Sequence, residues 1–271
     1  MKITILIDDV SNILNLKSEH GFSMFIEENK TKILFDTGAS GGFIENSKKL
    51  GVKPECSDFI LLSHNHSDHT GGIFELKDIL TNKLKLVIGK NFLEIKYKQI
   101  EGKAKRISGE FINEFFLSKY FNIIFIDEMM KLTDNFFVIS LKNGESILKK
   151  YFYIKDEAGN FIEDNFEEEI ILVCKQESNL TIISGCSHTG VEHIIVRTLR
   201  FFPECKIKNI IGGLHLEKVE DKYFDYLIDK ILRMNIKIFA GHCTGKTRLN
   251  QTAERLENKF ERIETGKGII I

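Results

Sequence analysis

The stretch Leu61-Leu62-Ser63-His64-Asn65-His66-Ser67-Asp68-His69-Thr70-Gly71-Gly72 constrains this chain more than any other. Three imidazoles and one carboxylate fall within the six residues 64–69. They follow an apolar run, Phe59-Ile60-Leu61-Leu62, that reads as a buried strand. Neutral imidazole and carboxylate are the ligands a borderline cation such as Zn²⁺ prefers. A straight strand or helix cannot aim an H-x-H-x-D-H sequence at one ion. A tight loop at a strand end can, with His64 and His66 facing one cation and Asp68 and His69 a second.

Three later strands repeat the arrangement. Each apolar run ends in a short loop that carries a histidine: Ser184-Gly185-Cys186-Ser187-His188-Thr189-Gly190, then Gly212-Gly213-Leu214-His215-Leu216, then Gly241-His242-Cys243-Thr244-Gly245. Six of the eight histidines therefore stand at strand ends. In an α/β layer fold, adjacent strands that end on one edge bring such loops together. The glycine pairs 71–72 and 212–213 are expected to permit tight turns and close backbone approach. His193 falls inside an amphipathic helical pattern and reads as a surface or satisfied core residue.

The rest of the pattern is mixed α/β. Strands are expected at 2–8, 22–27, 32–36, 58–63 and 84–88, with a hairpin turn at Glu28-Asn29-Lys30. Helices are expected near 42–50, ending at Gly51, and near 72–80. Beyond 165 the strands are 169–175, 179–184, 207–212, 236–240 and 268–271. The helices between them lie near 190–202, 221–234 and 247–259. Val191, Ile194, Ile195, Thr198, Leu199 and Phe202 form one apolar stripe, and Phe224, Leu227, Ile228, Ile231 and Leu232 form another. The length of 271 residues fits one large α/β domain or two small ones. Residues 90–165, rich in Phe, Tyr and Lys, have weak periodicity. Phe115, Phe116, Tyr120, Phe121 and Phe125 are expected to cover a core, and Lys96, Lys98, Lys103, Lys105 and Arg106 to form a solvated charged face. The alternative is an insertion or lid over the metal site, with those cations meeting an anionic substrate.

These motifs resemble the signature of the metallo-β-lactamase superfamily, and Ile33-Leu34-Phe35-Asp36-Thr37-Gly38 is similar to its strand-then-Asp-Gly element. The three later loops, together with Ser18-Glu19-His20-Gly21-Phe22-Ser23 and the C-terminal Gly-Lys-Gly-Ile-Ile-Ile, look like one branch. That branch is named after 7,8-dihydropterin-6-yl-methyl-4-(β-D-ribofuranosyl)aminobenzene 5'-phosphate synthase. The resemblance implies a four-layer αββα sandwich and a dinuclear metal centre. It places His64 and His66 on one metal and Asp68, His69 and His242 on the other. His188 is the candidate for a third imidazole, because no histidine lies between His69 and Cys186. Cys186 stands where many relatives have a bridging Asp, either as a thiolate ligand or as a lining residue. His215 and His20 are given pocket roles toward substrate, and Asp36 the role of accepting a hydrogen bond from a ligand imidazole.

The implied activity is metal-assisted hydrolysis, or a related synthase or lyase reaction. A metal-bound hydroxide would attack a small phosphate-bearing or cyclic ester substrate, and Asp68 would also handle a proton. The branch name implies a pterin-linked substrate. The two divalent cations are expected to be zinc, with manganese or iron as alternatives. A non-catalytic small-molecule sensor is the competing reading. A di-iron redox protein is another, although such relatives carry a carboxylate where this chain has His66 and need a flavin-bearing domain. A net charge of −1 gives no overall attraction to nucleic acid or to an anionic membrane, so the expected partner is a small molecule. Five scattered cysteines without a C-x-x-C pair make a reducing cytoplasm the default. Met1–Asp8 reads as a first strand rather than a secretion signal.

Overall fold

The structure is a computed structural model and describes residues 1–109, 112–148 and 151–271. The chain separates into two compact units. The first comprises Met1–Phe125, Lys150–Asp164 and Glu264–Ile271; the second comprises Ile126–Lys149 and Asn165–Ile263.

The first unit is built on a seven-stranded sheet in the order Gly268–Ile270, Lys2–Ile7, Ser23–Glu28, Thr31–Phe35, Phe59–Leu61, Leu84–Gly89, Phe121–Ile126. Antiparallel pairing runs up to Thr31–Phe35 and parallel pairing follows through Leu84–Gly89. The expected hairpin turns at Asn29, whose φ is 55°. The helix Gly42–Leu50 stops at Gly51, which takes the left-handed conformation (φ 72°) suited to glycine at a helix end. Leu6, Phe25, Leu34, Phe43, Ile60, Leu86 and Phe121 belong to one buried cluster. Burying each such side chain contributes about 1.5–3 kcal/mol.

The second unit has its own seven-stranded sheet, ordered Phe260–Arg262, Lys237–Gly241, Lys206–Gly213, Asn179–Ser184, Ile170–Gln176, Phe136–Ser140, Met129–Lys131. The four strands from Asn179–Ser184 to Phe260–Arg262 are parallel. Their carboxyl ends therefore share one edge. The helix Asp221–Met234 buries Phe224, Leu227, Ile228 and Ile231, as its stripe predicts, and ends at left-handed Asn235. Leu232, expected in that stripe, is 36% exposed because it points one residue past the buried face.

Several expectations need correction. The helix expected near 72–80 is one short turn, Ile73–Leu76, and a separate turn, Ser67–Thr70, precedes it in the histidine loop. The last strand pairs with the first, Ile3 opposite Ile269, and so belongs to the first unit rather than to the second half. The 90–165 stretch supplies strands to both large sheets and a separate four-stranded sheet, ordered Phe161–Glu163, Phe152–Lys155, Tyr97–Ile100, Lys103–Arg106. Phe121 is buried, and Phe116 and Tyr120 pack against the first core, as expected. Phe115 and Phe125 do not cover a core; they are 79% and 49% exposed. Lys96 is not on a solvated face either. It is fully buried and paired with Asp164 at 3.1 Å.

Candidate metal centre

In the first unit, the strand Phe59–Leu61 delivers the histidine loop beside the end of Thr31–Phe35. Asp36 joins them. It is fully buried and sits at a φ of 55°. One carboxylate oxygen accepts from Ser63 N at 2.7 Å; the other accepts from Ser63 Oγ at 2.7 Å and stands 2.7 Å from His69 Nδ1. Ser63 Oγ also lies 2.9 Å from His64 Nδ1. Both rings are thus held at Nδ1, which leaves Nε2 as the nitrogen to meet a cation. The ring of His64 lies 4.5 Å from that of His66 and 4.2 Å from that of His69. All three side chains are buried. The His66 ring is also flanked by Phe152, 5.4 Å away in the small sheet.

Asp68 is one-fifth exposed, with Oδ2 3.8 Å from His69 Nε2 and 3.4 Å from His20 Nε2. His20 in turn places Nδ1 3.0 Å from Asp9 Oδ2. His20 thus joins the cluster, together with Asp9, which sequence reasoning missed. An Asp beyond a strand end carries no signal until a histidine faces it. Gly71 and Gly72 let this loop lie against the 37–40 turn. A Cβ at either position would overlap Ala39 O or Thr37 O. Glu19 caps that turn, accepting from Ala39 N and Ser40 N at 3.0 Å each and from Ser40 Oγ at 2.6 Å.

In the second unit, hydrogen bonds stitch the three strand-end loops together. Gly213 N donates to Gly185 O (2.8 Å), Ser187 Oγ to Gly213 O (2.7 Å) and Leu214 N to Thr244 Oγ1 (3.0 Å). Ser187, His215 and His242 adopt positive φ values of 62°, 50° and 47°. Such backbone costs roughly 1–3 kcal/mol per residue and clusters at sites where geometry must be imposed. The His188 ring stacks on Phe166 at 3.9 Å and lies 4.3 Å from the His215 ring. Glu169, fully buried, accepts from His188 N (2.8 Å), Thr189 N (3.0 Å) and Thr189 Oγ1 (2.9 Å). Burial pushes the Glu169 carboxyl up from its usual range, against the opposing pull of those donors. Its sequence position, at the start of an apolar strand, gave no hint of this.

Cys186 is buried, and Cys243 Sγ lies 3.5 Å from its carbonyl oxygen. Burial pushes the Cys243 thiol up, but hydrogen bonding from Cys186 and His215 and the nearby histidine charges outweigh it and hold the thiol well below its ordinary value. His193, read as a surface or satisfied core residue, bonds through Nε2 to Leu141 O at 3.0 Å. Each unit therefore presents a buried set of imidazoles with carboxylate or thiol neighbours. That donor chemistry fits divalent zinc, manganese or iron.

Residues 18–114, within the first unit, match the family model described as the metallo-beta-lactamase superfamily. A solved structure described as Tm1679, a metal-dependent hydrolase of the beta-lactamase superfamily, superposes with a TM-score of 0.83 at 26% identity. It covers 100% of this chain and 99% of its own. This chain has the metallo-β-lactamase fold. The α/β fold class and the family resemblance expected from the motifs both hold. The 7,8-dihydropterin-6-methyl-4-(beta-D-ribofuranosyl)-aminobenzene-5'-phosphate synthase of Methanocaldococcus jannaschii is 29% identical, over 92% of this chain and 89% of its own. Zn²⁺-bound PqqB from Methylobacterium extorquens shares the fold alone, with a TM-score of 0.57 at 10% identity. Among the described residues, no helix of this metallo-β-lactamase-fold protein is long and apolar enough to cross a membrane.

Proposed function

We propose that this protein is a metal-dependent enzyme that hydrolyses, or by related chemistry transfers, a small phosphate-bearing or cyclic ester substrate. His64, His66, Asp68 and His69 are the ligands proposed in the first unit, and His188 and His242 those proposed in the second. In the first unit His64 and His66 would hold one cation and Asp68 and His69 another; in the second, Cys186 stands in the same loop as His188. The observation that carries the reading is the Asp36–His69 contact. A fully buried carboxylate 2.7 Å from Nδ1 fixes the ring's orientation and tautomer, as at metal-ligating histidines.

When bound, two divalent cations supply Lewis acidity: they bring the pKa of water toward neutrality and offset negative charge developing on oxygen. The chain supplies the proton path. Asp68 accepts the proton of the attacking water, and His20 Nε2, 3.4 Å away, receives it. Asp9 holds the far nitrogen of His20, which is largely exposed and so returns the proton to solvent. Glu169 orients the backbone around His188 and takes no part in the transfer. The identity with the synthase supports a substrate carrying phosphate on a ribose and an aromatic amine; the structural match supports hydrolysis.

The test is turnover of a panel of phosphodiesters, phosphomonoesters and lactones by zinc- or manganese-loaded protein, with the pterin-linked ribose phosphate included. Turnover lost in His64→Ala and His66→Ala supports the reading. No turnover across the panel with metal fully loaded, together with tight binding of one compound, would favour the sensor reading instead.

A further inference from the structure

Cys186, His215 and Cys243 stand together in the second unit, and the hydrolytic reading uses none of them as a ligand. The Sγ of each cysteine and a ring nitrogen of His215 all lie within 4.8 Å of one another. The three come from three different loops, held in register by the Gly213–Gly185, Ser187–Gly213 and Leu214–Thr244 hydrogen bonds. Gly213 makes the approach possible: a Cβ there would overlap Cys243 Sγ and stand 2.7 Å from Gly185 O. The cluster thus sits where three loops meet at the carboxyl edge of the parallel strands.

We propose that Cys186, His215 and Cys243 form a cation site of their own, which takes one soft or borderline metal ion such as Zn²⁺. Two thiolates and an imidazole are the donor set such an ion prefers over magnesium, calcium or manganese. Tetrahedral zinc, with bonds of about 2.3 Å to sulfur and 2.0–2.1 Å to nitrogen, separates its ligand atoms by roughly 3.5–4 Å. Donors already within 4.8 Å of one another reach that spacing with side-chain rotation alone. The fourth position falls to water or to a substrate atom. His215 and Cys243 belong to this site alone, so variants at those two positions separate it from the hydrolytic reading.

The experiment is a cobalt(II) titration of the full chain under reducing conditions, read by absorption, in a His64→Ala/His66→Ala background. Thiolate ligation gives cobalt an intense near-ultraviolet charge-transfer band and tetrahedral visible bands, which imidazole and carboxylate alone do not. The expected result is about one equivalent of cobalt bound with that band. Zinc should displace it, and both Cys243→Ser and His215→Ala should weaken binding by roughly 10–100-fold or more. The two variants remove different elements of the cluster, so misfolding of one leaves the other to decide. A missing thiolate band overturns the proposal. So does a band unchanged in Cys243→Ser and His215→Ala, which would make Cys186 a ligand of the histidine centre only. A Cys186–Cys243 disulfide persisting under reductant would overturn it too.

Discussion

At Asp36 one carboxylate does three things: it receives the Ser63 backbone, the Ser63 hydroxyl and the His69 ring. Asp36→Asn keeps the shape but loses the charge. We expect it to weaken metal binding by about 10–100-fold while leaving the fold intact, as measured by calorimetric titration with zinc and by circular dichroism. His20→Gln is different in kind, since His20 is proposed as a relay and not as a ligand. Metal content should not change, while kcat on a substrate that turns over should fall by roughly 10²-fold. A fall in bound metal instead would make His20 a ligand. The candidate ligand histidines were legible in the sequence because imidazole is scarce and six of eight stood at strand ends. Asp9, Glu169 and Cys243 were not singled out. The first two are ordinary acidic residues that gain meaning only from what folds against them. Cys243 did carry a signal, its place beside His242 in a strand-end loop.

Element by element, amphipathic helices such as Asp221–Met234 could be read from their 3.6-residue stripe, and the buried parallel strands from their apolar runs. The 90–165 stretch could not. Its hairpin, Tyr97–Ile100 with Lys103–Arg106, is largely exposed, so no apolar face imposes a period. Its partner comes from far along the chain, Tyr153 opposite Tyr97. The Lys96–Asp164 pair anchors this small sheet in a buried setting. Lys96→Met alone should cost about 3–5 kcal/mol, because it strands a buried carboxylate. Lys96→Met with Asp164→Leu should recover most of that loss in urea unfolding; equal losses in the single and double variants would contradict the account. On the helix Val191–Phe201, burial of His193 holds its pKa below the ordinary value, so the folded chain keeps the ring neutral. The unfolded chain binds the proton first as pH falls. The stability tied to His193 is therefore full above about pH 6.5 and drains away as pH drops through the depressed folded value. His193→Gln should flatten the fall in melting temperature between about pH 6.5 and pH 5.

Over the whole molecule, the fold class followed from strand-end loops and alternating elements, while the closing of the first sheet did not. Ile269 pairs with Ile3 across nearly the full chain length, and no local pattern specifies so distant a pairing. The proposed ligands are likewise far apart in sequence, at residues 64–69, 188 and 242. Loss of one ligand there should be felt as loss of bound metal, not only of activity. The central claim is that these histidines form a working metal centre. Elemental analysis of the purified protein beside His64→Ala tests it most directly. At least two equivalents of zinc or manganese per chain are expected, falling clearly in the variant while circular dichroism is unchanged. Near-zero metal that added zinc, manganese or iron cannot restore would contradict it.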